Sequence, residues 1–378
     1  MSAQPLEGVR VLDLSRVLAG PYATQLLADL GAEVWKIERP GAGDETRAWG
    51  PPFVDGESAY FLSVNRGKRS VALDFGEQGA RDALARAVAD ADVVVENFLP
   101  GELVRFGLDP ATLRRGKPEL VVCSITGFGQ DGPYAALPGY DAVLQGFVGL
   151  QSITGDAAGP GYKVGVALVD VLTGAHAAAA VLGALVGRLR GRGGAHLDIA
   201  LFEVGVASLV NVAQAALAGA PARRHGNAHP HIVPYQTFEA ADGALVVAVG
   251  NDGQWHRLCA ALGLESLAAR HATNAERVLH RAEVVQALAA RLAGLPRAQW
   301  LERLRAAQVP AGPVREVSEV VRDPALAERD MVRTYAGNDG PAVPLLALPW
   351  RVDGARPPAA LPPPRLGRHT AEFLARWG

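Results

Sequence analysis

Cysteine is nearly missing from this sequence: Cys123 and Cys259 are the only two in 378 residues. That is too few for a disulfide framework or a CxxC metal site, and it suits a reducing, cytoplasmic setting. Neither sign of charge is in excess. Lys and Arg number 37 and Asp and Glu 39, a formal net charge of −2, so nothing draws the chain generally to nucleic acid or an anionic membrane. The N-terminus MSAQPLEGVR lacks the charged-then-apolar layout of a signal peptide. No internal repeat is visible. Apolar residues are plentiful, at 49% of the chain. That is ample for two domains, or for one large domain with a smaller one attached.

The first half alternates strand and helix. VRVLDLS, EVWKIE, RSVALDF, ADVVVENF and ELVVCSITG read as apolar strands, with ATQLLADLG and QGARDALARAVAD as helices between them. Four or more such strands predict an α/β doubly wound, Rossmann-like parallel sheet. The turn after the first strand, RVLAGPYA, has only Gly20 where a dinucleotide fold carries GxGxxG. A nicotinamide cofactor is therefore not expected. Arg39, Arg47, Arg66, Lys68, Arg69 and Arg105 lie at predicted strand ends or in loops, and as a set they suit an anionic ligand.

The stretch VGVALVDVLTGAHAAAAVLGALVG, Val164 to Gly187, is long enough to suggest a membrane span. Its Ala and Gly content, with Asp170 and His176 inside it, favours a buried helix. A carboxylate there is costly unless it caps a helix, pairs with a cation or does chemistry. Pattern alone leaves cap and chemistry equally open. A second apolar helix is predicted over IALFEVGVASLVNVAQAALAG. The His-rich ARRHGNAHPHIVP then reads as a polar linker, because Pro230 breaks helical ligand spacing and no Cys or carboxylate pair is near; no metal site is expected. YQTFEAADGALVVAVG reads as a hairpin turning at Ala241-Asp242-Gly243. VPAGPVREV reads as the start of a return, and a last helix begins at Thr370.

Several of these stretches resemble one family. VRVLDLSRVLAGPYATQLLADLGAEVWKIERPGAGDETR is similar to the opening of the family III CoA-transferases, the CaiB/BaiF family. So are NRGKRSVALDF, ADVVVENFLPG, SITGFGQDGPY, PGYDAV, VALVDVLTG, GNAHPHIVPYQTF and LGRHT, in order along nearly the whole chain. The resemblance implies a large CoA-binding domain over 1–205, a linker over 206–233 and a small α/β domain over 234–325. A return linker over 326–378 then completes the large domain, and two ring-shaped subunits interlock as a homodimer. It implies that Asp170 is the nucleophile, passing through a mixed anhydride and an aspartyl-CoA thioester. CoA is expected at Val17, Leu18, Ala19, Arg39, Leu73, Asn97, Phe98 and Arg105, and the acyl group near Trp49, Tyr60, Tyr140 and Asp141. Gly250 and Gly253 in VGNDGQ stand where some members have a glycine-rich cover. CoA and acyl-CoA are substrates; no tightly bound cofactor is implied.

Leu18 and Pro138 replace the Gln and Lys of the formyl-CoA members and argue against formyl or oxalyl transfer. The wording is nearest to members that use dicarboxylates such as succinate, glutarate, malate or citramalate. Two alternatives stand beside transfer. One is a 2-methylacyl-CoA racemase of the same family, disfavoured because Tyr140 replaces its catalytic His and a phenol is a poor base near neutral pH. The other is a non-catalytic CoA-binding protein in which Asp170 is only a cap.

Overall fold

The computed structural model of the chain describes residues 4–337, 339–357 and 361–378. They form two units. One holds the chain up to 150, with 163–220 and 324–378; the other holds 151–162 and 221–323.

The first unit is built on six parallel strands: β1 (Arg10–Asp13), β2 (Glu33–Glu38), β3 (Lys68–Ala72), β4 (Val93–Glu96), β5 (Val121–Thr126) and β6 (His196–Ala200). Their order is β3-β2-β1-β4-β5-β6. VVVE and VVCSIT are buried at every position, as strands covered on both faces must be. Five of the six strands are legible as apolar runs. The sixth, HLDIA, is an edge strand whose alternating exposure gives no apolar run, and its last two residues, Ile199 and Ala200, fall in the predicted helix. That helix instead starts at Leu201 and breaks in two, Leu201–Ala207 and Val210–Leu217, with Val210 at φ 42° between them.

Helices cover both faces. On one side lie α1 (Ala19–Asp29), α3 (Asp141–Phe147) and α4 (Leu168–Leu189). On the other lie α2 (Gln78–Asp90) and the final helix α5 (Thr370–Trp377). Among the described residues α4 is the one helix long and apolar enough to cross a membrane. Its buried positions, Val169, Thr173, Gly174, Ala177, Ala178, Val181 and Leu185, recur at helical spacing and face the sheet layer.

The C-terminal segment closes the free edge of β3. The Ser70 amide donates to His369 Nδ1 at 3.2 Å, His369 N–H to the Ser70 carbonyl at 2.8 Å and the Ala72 amide to Thr370 Oγ1 at 2.9 Å. Phe373 and Trp377 then pack edge-on against Trp35 of β2, at centroid distances of 5.6 and 5.2 Å.

The second unit has a three-stranded antiparallel sheet, Ala311–Pro313, Gly243–Ala248 and Tyr235–Ala240 in that order. Helices Asp252–Leu262, Arg281–Leu292 and Arg297–Ala306 cover it through Trp255, Leu258, Leu288, Trp300 and Leu304. The expected hairpin is there. The VPAGPV stretch, expected as a return, supplies the third strand, and the chain re-enters the first unit at 324. The stretch expected as a linker, 206–233, is divided: the helix Val210–Leu217 belongs to the first unit and residues from 221 onward to the second. Residues 151–162 join the second unit through Arg224, which donates to the carbonyls of Ser152, Asp156 and Gly159 at 3.1, 3.1 and 2.8 Å. A single arginine binding across some seventy positions leaves no local signal.

Candidate active site

In an open parallel sheet, ligands bind at the carboxyl ends of the strands where the order reverses. Here that point lies between β1 and β4. The loop after β1, Leu14 to Leu18, passes over it. Val17 sits at φ 70°, a region costly for a β-branched residue unless its surroundings hold it there. Four side chains do. Arg16 N–H donates to Asn97 Oδ1 at 2.9 Å and Asn97 Nδ2 returns a bond to the Arg16 carbonyl at 2.7 Å. Val17 N–H faces both oxygens of Asp44 at 3.3 and 3.2 Å. Lys36 Nζ donates to the Ser15 carbonyl at 2.8 Å and pairs with Asp44 at 2.9 Å, both side chains fully buried. Beneath, Asp13 accepts from Lys68 at 3.0 Å and from the hydroxyls of Ser15 and Thr24. Burial opposes its charge, but Lys68 and Lys36 outweigh burial and hold its carboxyl down at about 2.

Asp170 lies in the first turn of α4. Two glycine contacts bring it there. A Cβ on Gly174, one turn further along, would lie 2.6 Å from the Ala19 carbonyl oxygen, so only glycine lets α4 approach the start of α1 this closely. Gly127 and Gly139 meet backbone to backbone in the same way, each 2.6–2.8 Å from the position a Cβ on the other would take, and this seats Tyr140 and Asp141 against the end of β5.

Asp170 is not the cap of its helix. The N-cap residue is Ala167, which has no capping side chain. Asp141 does the capping from α3: its Oδ1 accepts from Val169 N–H at 2.8 Å and from Asp170 N–H at 3.2 Å. Asp170's own carboxyl is left for other work. Burial first, and then the charge of Asp141, push it up to about 7.

Two adjoining cavities, about 240 and 360 Å³, share Arg16, Glu45, Phe98 and Glu102 and form one cleft along the strand ends. Asp170, Tyr140, Val17, Leu18, Ala19, Asn97 and Phe98 line the first. Arg39, Leu73, Phe98 and Arg105 line the second. Trp49 and Tyr60 pack edge-on at 5.3 Å but line neither cavity. Tyr60 still feels the site: burial, then the charges of Asp170, Asp141 and Asp44, push its phenol up to about 12. Asp141 lies buried beneath the wall. Gly250 and Gly253 belong to the second unit, at a helix start capped by Asn251 and closed by a 2.7 Å bond from Gly250 N–H to Gln254.

Four of the six cations expected as an anion-binding set have internal partners instead. Arg47 makes a bidentate pair with Glu38 and reaches Glu57 at 2.9 Å. Arg66 pairs with Asp29 and Lys68 with Asp13. Arg69 lies near Glu33 and Glu372 at 3.8 and 3.5 Å. Arg39 and Arg105 alone of the six line the cleft.

Comparison with known proteins agrees with this geometry. The profile of CoA-transferase family III matches residues 6–370. The chain belongs to that family. The succinate–glutarate CoA-transferase of Agrobacterium fabrum is 44% identical over 98% of this chain and 95% of its own length. The mouse succinyl-CoA:glutarate CoA-transferase is 42% identical over 99% and 86%. The crystal structure of a CaiB/BaiF family protein from Brucella suis, 42% identical, superposes over the full length of both chains with a TM-score of 0.88. This CoA-transferase moves CoA between an acyl-CoA and a carboxylic acid.

Sequence reasoning missed Lys36, Asp44 and Gln145. Lys36 stands in an apolar strand and Asp44 in a glycine-rich loop, and nothing in their spacing links them to Val17. Gln145 offers a weak signal: it sits four residues after Asp141, on the same helix face.

Proposed function

We propose that this family III CoA-transferase carries CoA from succinyl-CoA to a second dicarboxylate such as glutarate, with Asp170 as its covalent acceptor. One observation carries the reading: a half-buried carboxyl on the wall of a cleft at the sheet's switch point, relieved of the capping role its position would otherwise give it. The names of the Agrobacterium and mouse relatives support the acid pair.

The chemistry follows from the surroundings of Asp170. Its ionised carboxylate attacks the thioester carbonyl of succinyl-CoA. The C–S bond breaks, CoA leaves as thiolate, and a succinyl–aspartyl anhydride forms. The thiolate attacks the aspartyl carbonyl, succinate departs, and CoA stays on Asp170 as a thioester. A glutarate carboxylate attacks that thioester and expels the thiolate, giving a glutaryl–aspartyl anhydride. Attack of the thiolate on the glutaryl carbonyl forms glutaryl-CoA and returns Asp170 as carboxylate. Protons and charge balance, and water takes no part. Burial serves twice: it leaves the nucleophile poorly hydrated and shields each activated acyl group from hydrolysis.

Arg39 and Arg105 supply charge for the phosphates of CoA. Leu73, Phe98, Asn97 and the loop Val17-Leu18-Ala19 contact the rest of it, and Tyr140 flanks the acyl group. The phenol of Tyr60, held protonated at neutral pH and backed by Trp49, is a hydrogen-bond donor near Asp170 and not a base. We take the working form to be a cytoplasmic homodimer.

Peptide mass spectrometry tests the assignment. After incubation with succinyl-CoA and a hydroxylamine quench, Asp170 carries a hydroxamate. CoA transfer to glutarate with Asp170 unmodified under the same quench overturns it.

A further inference from the structure

Behind Asp170 stands a residue that lines neither cavity of the cleft. Gln145 lies in the middle of α3 and is fully buried. Its amide nitrogen donates to Asp141 Oδ2 at 2.6 Å and to the Val166 carbonyl at 3.1 Å, and its oxygen accepts from Val164 N–H at 2.7 Å. Every polar atom of the side chain is used. Two of the three bonds grip the segment that leads into α4. The third fixes the carboxylate whose other oxygen takes the N–H groups of Val169 and Asp170.

We propose that Gln145 is a positioning residue for the transfer reaction: through Asp141 it sets both where the start of α4 lies and which side of Asp170 faces a neighbouring charge. The inference rests on the reading of Asp170 as covalent acceptor.

The alternative is that the three bonds only stabilise the fold. The surroundings argue for a role in reactivity. The elements packed against α4 carry Tyr22, Asp29, Cys123, Asp141, His196, Asp198 and Glu203, α4 itself carries His176 and Arg188, and Tyr60 stands close enough to feel Asp170. Of these, Asp141 alone acts on the charge of Asp170. The residue that holds Asp141 therefore holds the one electrostatic lever on the nucleophile.

Three variants test this in the full-length protein, with formation of the Asp170 adduct from succinyl-CoA followed in single turnovers by hydroxylamine quench. Gln145→Met keeps length and apolar volume but makes none of the three bonds. Acylation slows roughly 10- to 100-fold, because a small displacement of an attacking group costs that much, while KM for succinyl-CoA stays within about three-fold. Its acid limb moves to lower pH, because the Asp141 carboxylate, held only through Oδ1, is free to turn its charge away from Asp170. Asp141→Asn keeps an oxygen to cap α4 and removes the charge, but its NH2 then faces the Gln145 amide nitrogen, donor to donor; its acid limb moves the same way, and its rate also falls.

Gln145→Glu keeps the shape. The new carboxyl can donate to Asp141 only while the pair shares a proton, so its deficit relative to wild type shrinks as pH falls from about 8 to about 6. This variant decides the matter if Gln145→Met does not fold. A deficit independent of pH, or a raised KM with unchanged acylation rate in Gln145→Met, overturns the proposal. Failure of the underlying reading looks different, since the wild type itself then forms no Asp170 adduct.

Discussion

A carboxyl held near neutrality for chemistry should destabilise the fold that holds it, and Asp170→Asn makes the cost measurable. In the unfolded chain Asp170 titrates near the ordinary value of 3.8; in the folded protein it is pushed up to about 7. Below the unfolded value both states are protonated and Asp170 is neutral in its effect. Between the two values the unfolded state loses its proton first, so stability falls as pH rises through that window and the loss is complete above about 7. At about 1.4 kcal/mol per unit, a gap of roughly three units corresponds to ~4 kcal/mol. Asp170 is only partly buried, and water reaching it lowers this to about 2 kcal/mol.

Asparagine has the same shape and never ionises. Asp170→Asn is therefore more stable than wild type above neutrality. Its advantage grows by about 1 kcal/mol between about pH 5 and about pH 8, and vanishes near pH 4. Urea denaturation of both proteins at several pH values, in variants with Trp255 and Trp300 replaced by Phe so that tryptophan fluorescence follows the first unit, reads the difference directly. Parallel stability curves across this pH range would refute the argument, because the carboxyl would then not be perturbed by the fold.

Other outcomes follow from the same structure. Arg39→Ala and Arg105→Ala each raise KM for the acyl-CoA about ten-fold and leave kcat within a factor of about three, and the effect weakens at high salt; steady-state kinetics at two ionic strengths checks this. Lys36→Met leaves Asp44 buried without its partner and the Ser15 carbonyl without its donor. It costs about 3–5 kcal/mol in denaturant titration, and whatever folds has lost the hold on Val17 and binds CoA weakly by calorimetry.

The sheet and the oddity of Asp170 were legible because their signals are local. Five strands are continuous apolar runs, and an Asp among Val, Leu and Ala stands out at once. What surrounds Asp170 was not legible, because it is built from pairs far apart in the chain. That Asp170 does not cap its helix follows from Asp141, 29 positions earlier, which takes that role. The apparent abundance of free cations dissolves in the fold, where Glu38, Asp29 and Asp13 neutralise Arg47, Arg66 and Lys68. A buried charge must find a partner, but sequence spacing does not reveal which one. The glycines were visible as motif letters, while their function, admitting another backbone into the space a Cβ would fill, needs the neighbouring segment to be seen.

The stitching of the last helix onto β3 has a consequence for how the molecule is made. Ser70 and His369 are 299 positions apart, and Trp35 of the second strand finishes its packing only against Phe373 and Trp377. During synthesis many residues that will line the cleft emerge early and wait for a covering that arrives hundreds of codons later. The second unit, drawn mostly from one continuous stretch, can complete its own core in the meantime. The first unit is thus the slower to mature, with a half-covered apolar sheet as its nascent form. Chaperones that bind exposed β-sheet surface would find it during exactly that interval.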